Sequence, residues 1–335
     1  MDKKVKNTLR YLFWAAVAVV LVYFCFRSID WGQFSQALQQ CRWGWVLLAM
    51  ALGVLVFFLR AVRWRMLIAP IDPSTSVLTC FNGYNICNAV NLALPRVGEV
   101  VKLGYLVKHS SLGPDGKRLL TFDKALGTLL IERAWDAVVT LSMLGVLLAA
   151  KWDTFGGFLK ESLSGAGMGR GLGWLLGGLV LLVLAFLFFS WMFREKGGLW
   201  TRIWAFMAGI GHGLVSFRHM KKAWLFLLYT ALIWTIYWIM SASIVWALQD
   251  IPAFTSLTLT DSFFLMIAGS VSSVVPVPGG FGAYHGLVGG ALLSIWGIPM
   301  ALGMVYATLN HESQVLVQAL TGLASYIHEN FFRRA

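Results

Sequence analysis

Three clusters of charged and turn-forming residues sit inside stretches that are otherwise apolar. Charge in such company is costly enough to need a partner or a purpose. The first cluster is PRVGEVVKLGYL, residues 95–106. Arg96, Glu99 and Lys102 are three apart, so on a helix beginning near Pro95 they share one face. Proline suits the first turn of a helix, and the amides freed there attract anions. The chemistry is that of a phosphate or carboxylate site, with Arg96 as the direct contact and Glu99 orienting it. An interfacial ion pair at a helix end fits the same residues.

The second cluster is IERAWD, residues 131–136. Glu132 and Asp136 are i,i+4, and Arg133 stands i,i+3 to Asp136. These three must pair or face water. Two pairings compete: Glu132 with Arg96 or Lys102 across a cavity, and Arg133 with Asp136 on its own helix. The third cluster is PVPGGFGAYHG, residues 276–286, together with Asn310, His311 and Glu312. Pro278, Gly279, Gly280 and Gly282 let the backbone turn and a ligand approach closely. His285 and His311 belong to the residue type that titrates near neutral pH. A metal site from His285, His311 and Glu312 matches no known ligand spacing, and a buried, hydrogen-bonded histidine is the ordinary case. No metal or other cofactor is therefore expected. There is no GxSxG, HExxH or Walker sequence, and GPDGKR at 113–118 reads as a turn. No catalytic residue is assigned.

The elements that position these clusters follow from composition. The chain has 335 residues, 58% hydrophobic and only 13% charged. Average soluble domains are about 45–50% apolar and about 25% charged. This composition excludes a disordered chain and a disulfide-rich secreted domain. The net charge of +12 is scattered between apolar runs, which argues against nucleic acid as a partner. Six segments are long and apolar enough to span a bilayer: about 9–27, 43–62, 125–150, 172–193, 223–248 and 299–327.

Two further apolar stretches are interrupted. One, Val77 to Val107, carries Asn82, Asn85, Asn88, Asn91, Pro95 and Gly98. The other, Ser262 to Trp296, carries Gly269, Ser270, Ser272, Ser273, Pro276, Pro278, Gly279 and Gly280. Broken backbone at membrane depth is tolerated where it is buried in protein or lines a wet cavity. Both stretches therefore read as re-entrant helical hairpins. With the N-terminus in the cytoplasm, the inner segments 1–10, 60–76, 96–124, 194–222 and 331–335 hold 21 of the 27 Lys and Arg, Arg60 and Arg63 among them; the outer segments 27–42 and 151–171 hold five, and Arg133 remains within a span. That satisfies the positive-inside rule and places both termini in the cytoplasm. The layout is a single all-α polytopic membrane domain over residues 1–335. Residues 9–150 and 172–327 form two half-repeats of opposite orientation, a common transporter plan. Residues 194–222 read as a basic amphipathic helix or a basic loop.

Three motifs in this order, R-x-G-E at 96–99, E-R-x-x-D at 132–136 and P-x-P-G-G-x-G at 276–282, resemble the membrane domain of lysylphosphatidylglycerol synthase/flippase proteins. The resemblance covers essentially the whole chain, and stand-alone flippase-like homologues share the pattern. It implies a lipid-translocating membrane domain with re-entrant elements around a central cavity. By motif match it carries over Arg96, Gly98, Glu99, Glu132, Arg133, Asp136, Pro278, Gly279, Gly280 and Gly282. Two departures stand out. Many family members place Glu shortly after the Pro-Gly-Gly turn, where this chain has His285. The full-length synthases also carry a soluble catalytic domain, so aminoacyl transfer is not expected of this chain.

The function expected is translocation or binding of an anionic phospholipid or polyprenyl-phosphate lipid in a polar cavity of the cytoplasmic membrane, without ATP. The alternatives are a membrane-embedded enzyme of lipid or glycolipid modification, and an accessory subunit. The partners expected are membrane lipids with anionic headgroups, with a second copy of the chain or a separate lipid-modifying transferase as protein partners.

Overall fold

The computed structural model describes residues 29–150, 152, 222–273, 275 and 277–332, with Ala16, Val19, Val20, Tyr23, Phe26 and Arg27 before them. Among the described residues there are nine α-helices, and the sole β-type pairing is an isolated bridge between Leu112 and Arg118. They are α1 (Trp31–Gln39), α2 (Trp43–Ile68), α3 (Val77–Ala93), α4 (Val97–Lys108), α5 (Phe122–Ala150), α6 (Ala223–Ala247), α7 (Leu259–Ser272), α8 (Ala283–Trp296) and α9 (Met300–Ile327). The expected spans at 43–62, 125–150, 223–248 and 299–327 correspond to α2, α5, α6 and α9. The expected span at 172–193, most of that at 9–27 and nearly all of 194–222 lie outside the described residues.

Two units make up the chain, Met1–Thr128 with Trp224–Ala335, and Leu129–Ala223. The described part of the second unit is chiefly α5. The first unit holds both interrupted stretches.

The helices α2 and α6 are long and apolar enough to cross a membrane, with mean hydropathies of 2.4 and 1.7. On α2 the buried residues Val46, Ala49, Gly53, Val56, Arg60, Arg63 and Leu67 recur at helical spacing and form an inward stripe. Leu47, Leu48, Val54, Leu55 and Phe58 are exposed, as are Leu227, Leu228 and Leu232 on α6 and Leu316, Leu320 and Leu323 on α9. Large apolar residues facing outward on several helices suit hydrocarbon as solvent.

The structure corrects one assumption about charge. Arg60 and Arg63 belong to the inward stripe of α2, because the helix runs on to Ile68. Arg60 donates to the Tyr237 hydroxyl at 3.2 Å. Arg63 donates to Thr230 Oγ1 at 3.2 Å, and its guanidinium stands 5.4 Å from the Phe226 ring centroid. Both cations are buried inside the protein, with hydroxyls and aromatic faces among their contacts. They do not act as loop charges that set topology.

The 26 residues of α2 separate two poles of the first unit by about 39 Å at 1.5 Å per residue. At the Trp43 pole, Arg42 grips Asp250 through two bonds of 2.6 and 2.5 Å, and its amide donates to the Ala247 carbonyl. Helix α1 arises here because Asp30 caps it, accepting from the amides of Gly32 and Gln33. A small cavity at this pole joins Gln33, Gln36 and Gln40 of α1 to Ile251, Pro252 and Leu302. The start of α7 and the junction of α8 with α9 are therefore at this pole.

At the Ile68 pole, Asp72 accepts from the hydroxyls of Ser74 and Ser110 at 2.6 and 2.7 Å, and from the amide of Ser111 at 3.0 Å. Burial pushes the Asp72 carboxyl up, but these hydrogen bonds and one from the Ser74 amide outweigh it and lower the pKa from 3.8 to about 2. The knot ties the segment before α3 to the segment after α4. Both open ends of the first interrupted stretch are thus at the Ile68 pole, and those of the second are at the Trp43 pole.

Helix α9 is the post around which the unit packs, in contact with α1, α2, α3 and α8. Its approach to α3 is close: a Cβ at Gly322 would overlap the side chain of Ala89. Small residues permit such contact between membrane helices.

Candidate functional site

The first interrupted stretch breaks between Ala93 and Val97. Leu94 leaves the helix in an extended conformation, and Arg96 has φ 65°. Arg96 is the only non-glycine residue with positive φ among those described. A left-handed arginine costs about 1–2 kcal/mol, so its neighbours must enforce it. They do so through Asn91. Its amide oxygen accepts from the Gly98 amide at 2.8 Å, and its amide nitrogen donates to Glu99 Oε2 at 3.2 Å. Asn91, on the helix that enters the break, thus caps the helix that leaves it. A Cβ at Gly98 would collide with the Cys87 carbonyl and with Asn91 itself, so only glycine closes this turn.

The second interrupted stretch breaks between Ser273 and Ala283. Here the backbone makes the turn: Gly279, Gly280 and Gly282 have φ of 59°, 78° and 79°. Pro278 opens a short 3-10 turn over Pro278–Gly280. The positive φ values explain why glycine recurs three times in five residues. The Gly279 carbonyl accepts from His311 Nε2 at 2.9 Å, which fixes this turn to α9.

The two breaks meet. Arg96 Nη2 donates to the Ser273 carbonyl at 2.7 Å, a cation on the last turn of α7 where carbonyls are left over. Asn91, Pro95, Arg96 and Glu99 from the first break line one cavity of about 280 Å³ with Ser272, Ser273, Gly279, Gly280 and Tyr284 from the second, and with His311 and Gln318 of α9. Small-molecule pockets are usually about 300–1,000 Å³. This one has room for a compact polar group and carries one arginine, one carboxylate and several hydrogen-bonding groups.

Of the residues singled out in the sequence, Arg96, Glu99, Gly279, Gly280 and His311 are brought together here. Pro278 and Gly282 shape the turn, and Gly98 lets Asn91 close. Arg96, Glu99 and Lys102 do not share a face, because helix α4 begins at Val97 and Arg96 precedes it. Lys102 does not line this cavity. It is buried, with Nζ 3.7 Å from the centroid of the Trp64 ring and 5.0 Å from that of Tyr84. Glu132, Arg133 and Asp136 belong to the second unit, on α5. Glu132 is buried with Arg133 Nη2 4.0 Å from its Oε1, and the Asp136 carbonyl accepts from Thr140 at 2.8 Å.

His285 corrects the expectation of a buried, hydrogen-bonded histidine. It is 1% exposed, and neither ring nitrogen has a hydrogen-bond partner. Its Nε2 lies 3.2 Å from Glu312 Oε1, in a geometry that does not make a hydrogen bond. His311 Nδ1 lies 2.7 Å from the other carboxylate oxygen of Glu312. Sequence reading noted Asn91 only as one polar residue interrupting the stretch, with no role at the break, and passed over Gln318. The one available signal for Asn91 was an amide side chain four residues before Pro95, where a helix about to break leaves backbone groups to satisfy.

The chain matches the family model of the lysylphosphatidylglycerol synthase TM region over residues 11–322. It belongs to that family. It is therefore a membrane protein of a family related to lipid handling, as its apolar exterior requires. No curated protein and no solved structure matches it.

Proposed function

We propose that the protein translocates an anionic lipid, a phospholipid or a polyprenyl-phosphate-linked lipid, by admitting its headgroup to the cavity between the two broken stretches while the tails stay in the bilayer. The observation that carries this reading is the meeting of the two breaks at Arg96. One N–H of its guanidinium fixes the second break through Ser273. The same group lines the cavity and would hold the phosphate. Glu99, set by Asn91, balances that charge and favours headgroups that also carry an amine. The step is transport without covalent change to the lipid, and its drive is the lipid gradient, an ion or the membrane potential.

The opposed poles support the arrangement this requires. Helices α3, α4, α7 and α8 have 17, 12, 14 and 14 residues. At 1.5 Å per residue each is about 18–26 Å long, short of a hydrocarbon core of about 30 Å. In this reading the two stretches are re-entrant hairpins from opposite faces, within a repeat of six spans and two hairpins. The Asp72 pole faces the cytoplasm, and the protein lies in the cytoplasmic membrane. The mechanism follows: a polar cavity near mid-depth removes the main barrier to headgroup passage, the cost of dragging charge through hydrocarbon.

The test is reconstitution into vesicles whose outer-leaflet reporter lipids can be quenched at the headgroup. Accelerated leaflet exchange is expected for an anionic or polyprenyl-phosphate lipid, falling about tenfold in Arg96→Ala. Exchange equal to that of empty vesicles across the whole lipid panel would overturn the proposal.

A further inference from the structure

Beside the cavity, three side chains able to hold a cation converge. The atoms that His285, His311 and Glu312 would offer to a metal all lie within 4.8 Å of one another. We infer that they form a site for a divalent first-row transition metal of the Zn²⁺ class. The argument rests on hydrogen-bond accounting.

His311 Nε2 faces the Gly279 carbonyl at 2.9 Å. A carbonyl only accepts, so Nε2 carries the proton and the lone pair of a neutral ring is on Nδ1. That lone pair points at Glu312 Oε2, 2.7 Å away. Two acceptors so close require a positive centre between them. A shared proton would serve this pair, but it leaves His285 unexplained. His285 is 1% exposed, and its Nδ1 has no hydrogen-bond partner, a costly state for a buried polar group. Its Nε2 is 3.2 Å from the second oxygen of the same carboxylate. A metal satisfies all three groups at once.

The donor set and its surroundings fit. Two imidazoles and a carboxylate suit zinc and its neighbours. With bonds of about 2.0–2.1 Å, ligand atoms of a tetrahedral zinc stand about 3.3 Å apart, so small side-chain rotations close the site. The Nε2–H bond to the Gly279 carbonyl is the outer contact that metal-bound histidines use to fix their orientation. Phe26, Phe281 and Tyr284 pack their rings 5.5, 5.4 and 4.9 Å from the nearer histidine and form an apolar shell. The Glu312 side chain is 36% exposed, and His311 lines the cavity, so a fourth position is open to water or to a ligand oxygen.

The glycines of the turn are part of the same device. A Cβ at Gly280 would stand 3.2 Å from His311 Nε2, so the turn reaches the ring without crowding it. The site stands independently of lipid transport, since metal binding is read without any lipid.

The experiment uses the full chain in detergent, stripped of metal by a chelator and carrying no affinity histidines. Zn²⁺ is titrated by calorimetry, and Co²⁺ is followed by its visible absorption as a reporter of geometry. One equivalent of Zn²⁺ and a four- or five-coordinate Co²⁺ spectrum are expected. His285→Gln and Glu312→Gln should each weaken binding by more than about 100-fold, since even outer-shell partners carry about 10–100-fold. His109→Gln, at the Ile68 pole, should bind as the wild type does. Absence of a saturable equivalent in the wild-type protein would overturn the inference, whatever the variants do. So would wild-type affinity in a folded His285→Gln protein.

Discussion

The two broken stretches solve one problem in opposite ways. Each must end a helix inside the protein, turn, and begin another. The break between α3 and α4 does it with side chains: Asn91 supplies the missing acceptor to the Gly98 amide, and a single strained residue, Arg96, makes the corner. The break between α7 and α8 does it with backbone, through three glycines at positive φ. A side-chain solution keeps a functional group at the corner. A glycine solution removes side chains from the corner and leaves room for His311 to reach the Gly279 carbonyl. One break therefore presents the charge, and the other presents the space.

The sharpest way to break this comparison is to put bulk into the glycine corner. Gly280→Val with Gly282→Val forces two β-branched residues into the left-handed region, at about 1–3 kcal/mol each. Thermal unfolding in detergent should show the largest loss of any substitution considered. The side-chain corner should be weaker to attack. Asn91→Leu strands the Gly98 amide and costs about 1–3 kcal/mol, read in the same assay.

Arg96 separates the two solutions most cleanly. Arg96→Gly relieves the left-handed strain, worth about 1–2 kcal/mol, while losing the Ser273 bond, worth a similar amount. Stability should change little, yet leaflet exchange should fall as far as in Arg96→Ala. Equal loss of stability in the glycine and alanine variants would show that the strain at φ 65° does not matter.

A junction in neither break gives a test by pH. The folded Asp72 carboxyl has its pKa lowered to about 2 against an ordinary 3.8. Its stabilising contribution is complete above the unfolded value near 4 and is lost as pH falls through the folded value near 2. Unfolding midpoints should therefore drop for the wild type across that window. Asp72→Asn should be less stable at neutral pH and should lack this component of the acid dependence.

Much of the fold was legible because it follows from chain-local pattern. Four of the expected spans correspond to α2, α5, α6 and α9, and both interrupted stretches broke where proline and glycine cluster. Local pattern failed where the outcome depended on a distant partner. Arg60 and Arg63 read as loop charges because nothing nearby announces the hydroxyl of Tyr237 or of Thr230. Lys102 read as sharing the face of an anion site because its spacing from Glu99 fits a helix. The aromatic faces of Trp64 and Tyr84 that hold it are 38 and 18 residues back in the chain. Helix α1 was missed because it is only nine residues long and weakly apolar, although its sequence is amphipathic and Asp30 was there to cap it.

The sequence by itself determined that this chain lives in a bilayer, where most of its described helices lie, and where two apolar stretches must break. Hydropathy and φ preference are properties of single residues and short runs, so they survive without a fold. Tertiary structure alone decided which charges face the cavity and which are consumed inside. It joined Arg96 to Ser273, 177 positions apart. It also set His285 against Glu312 without a hydrogen bond. Those outcomes depend on distances between helices, and no property of a residue or its neighbours in sequence encodes a distance across a fold.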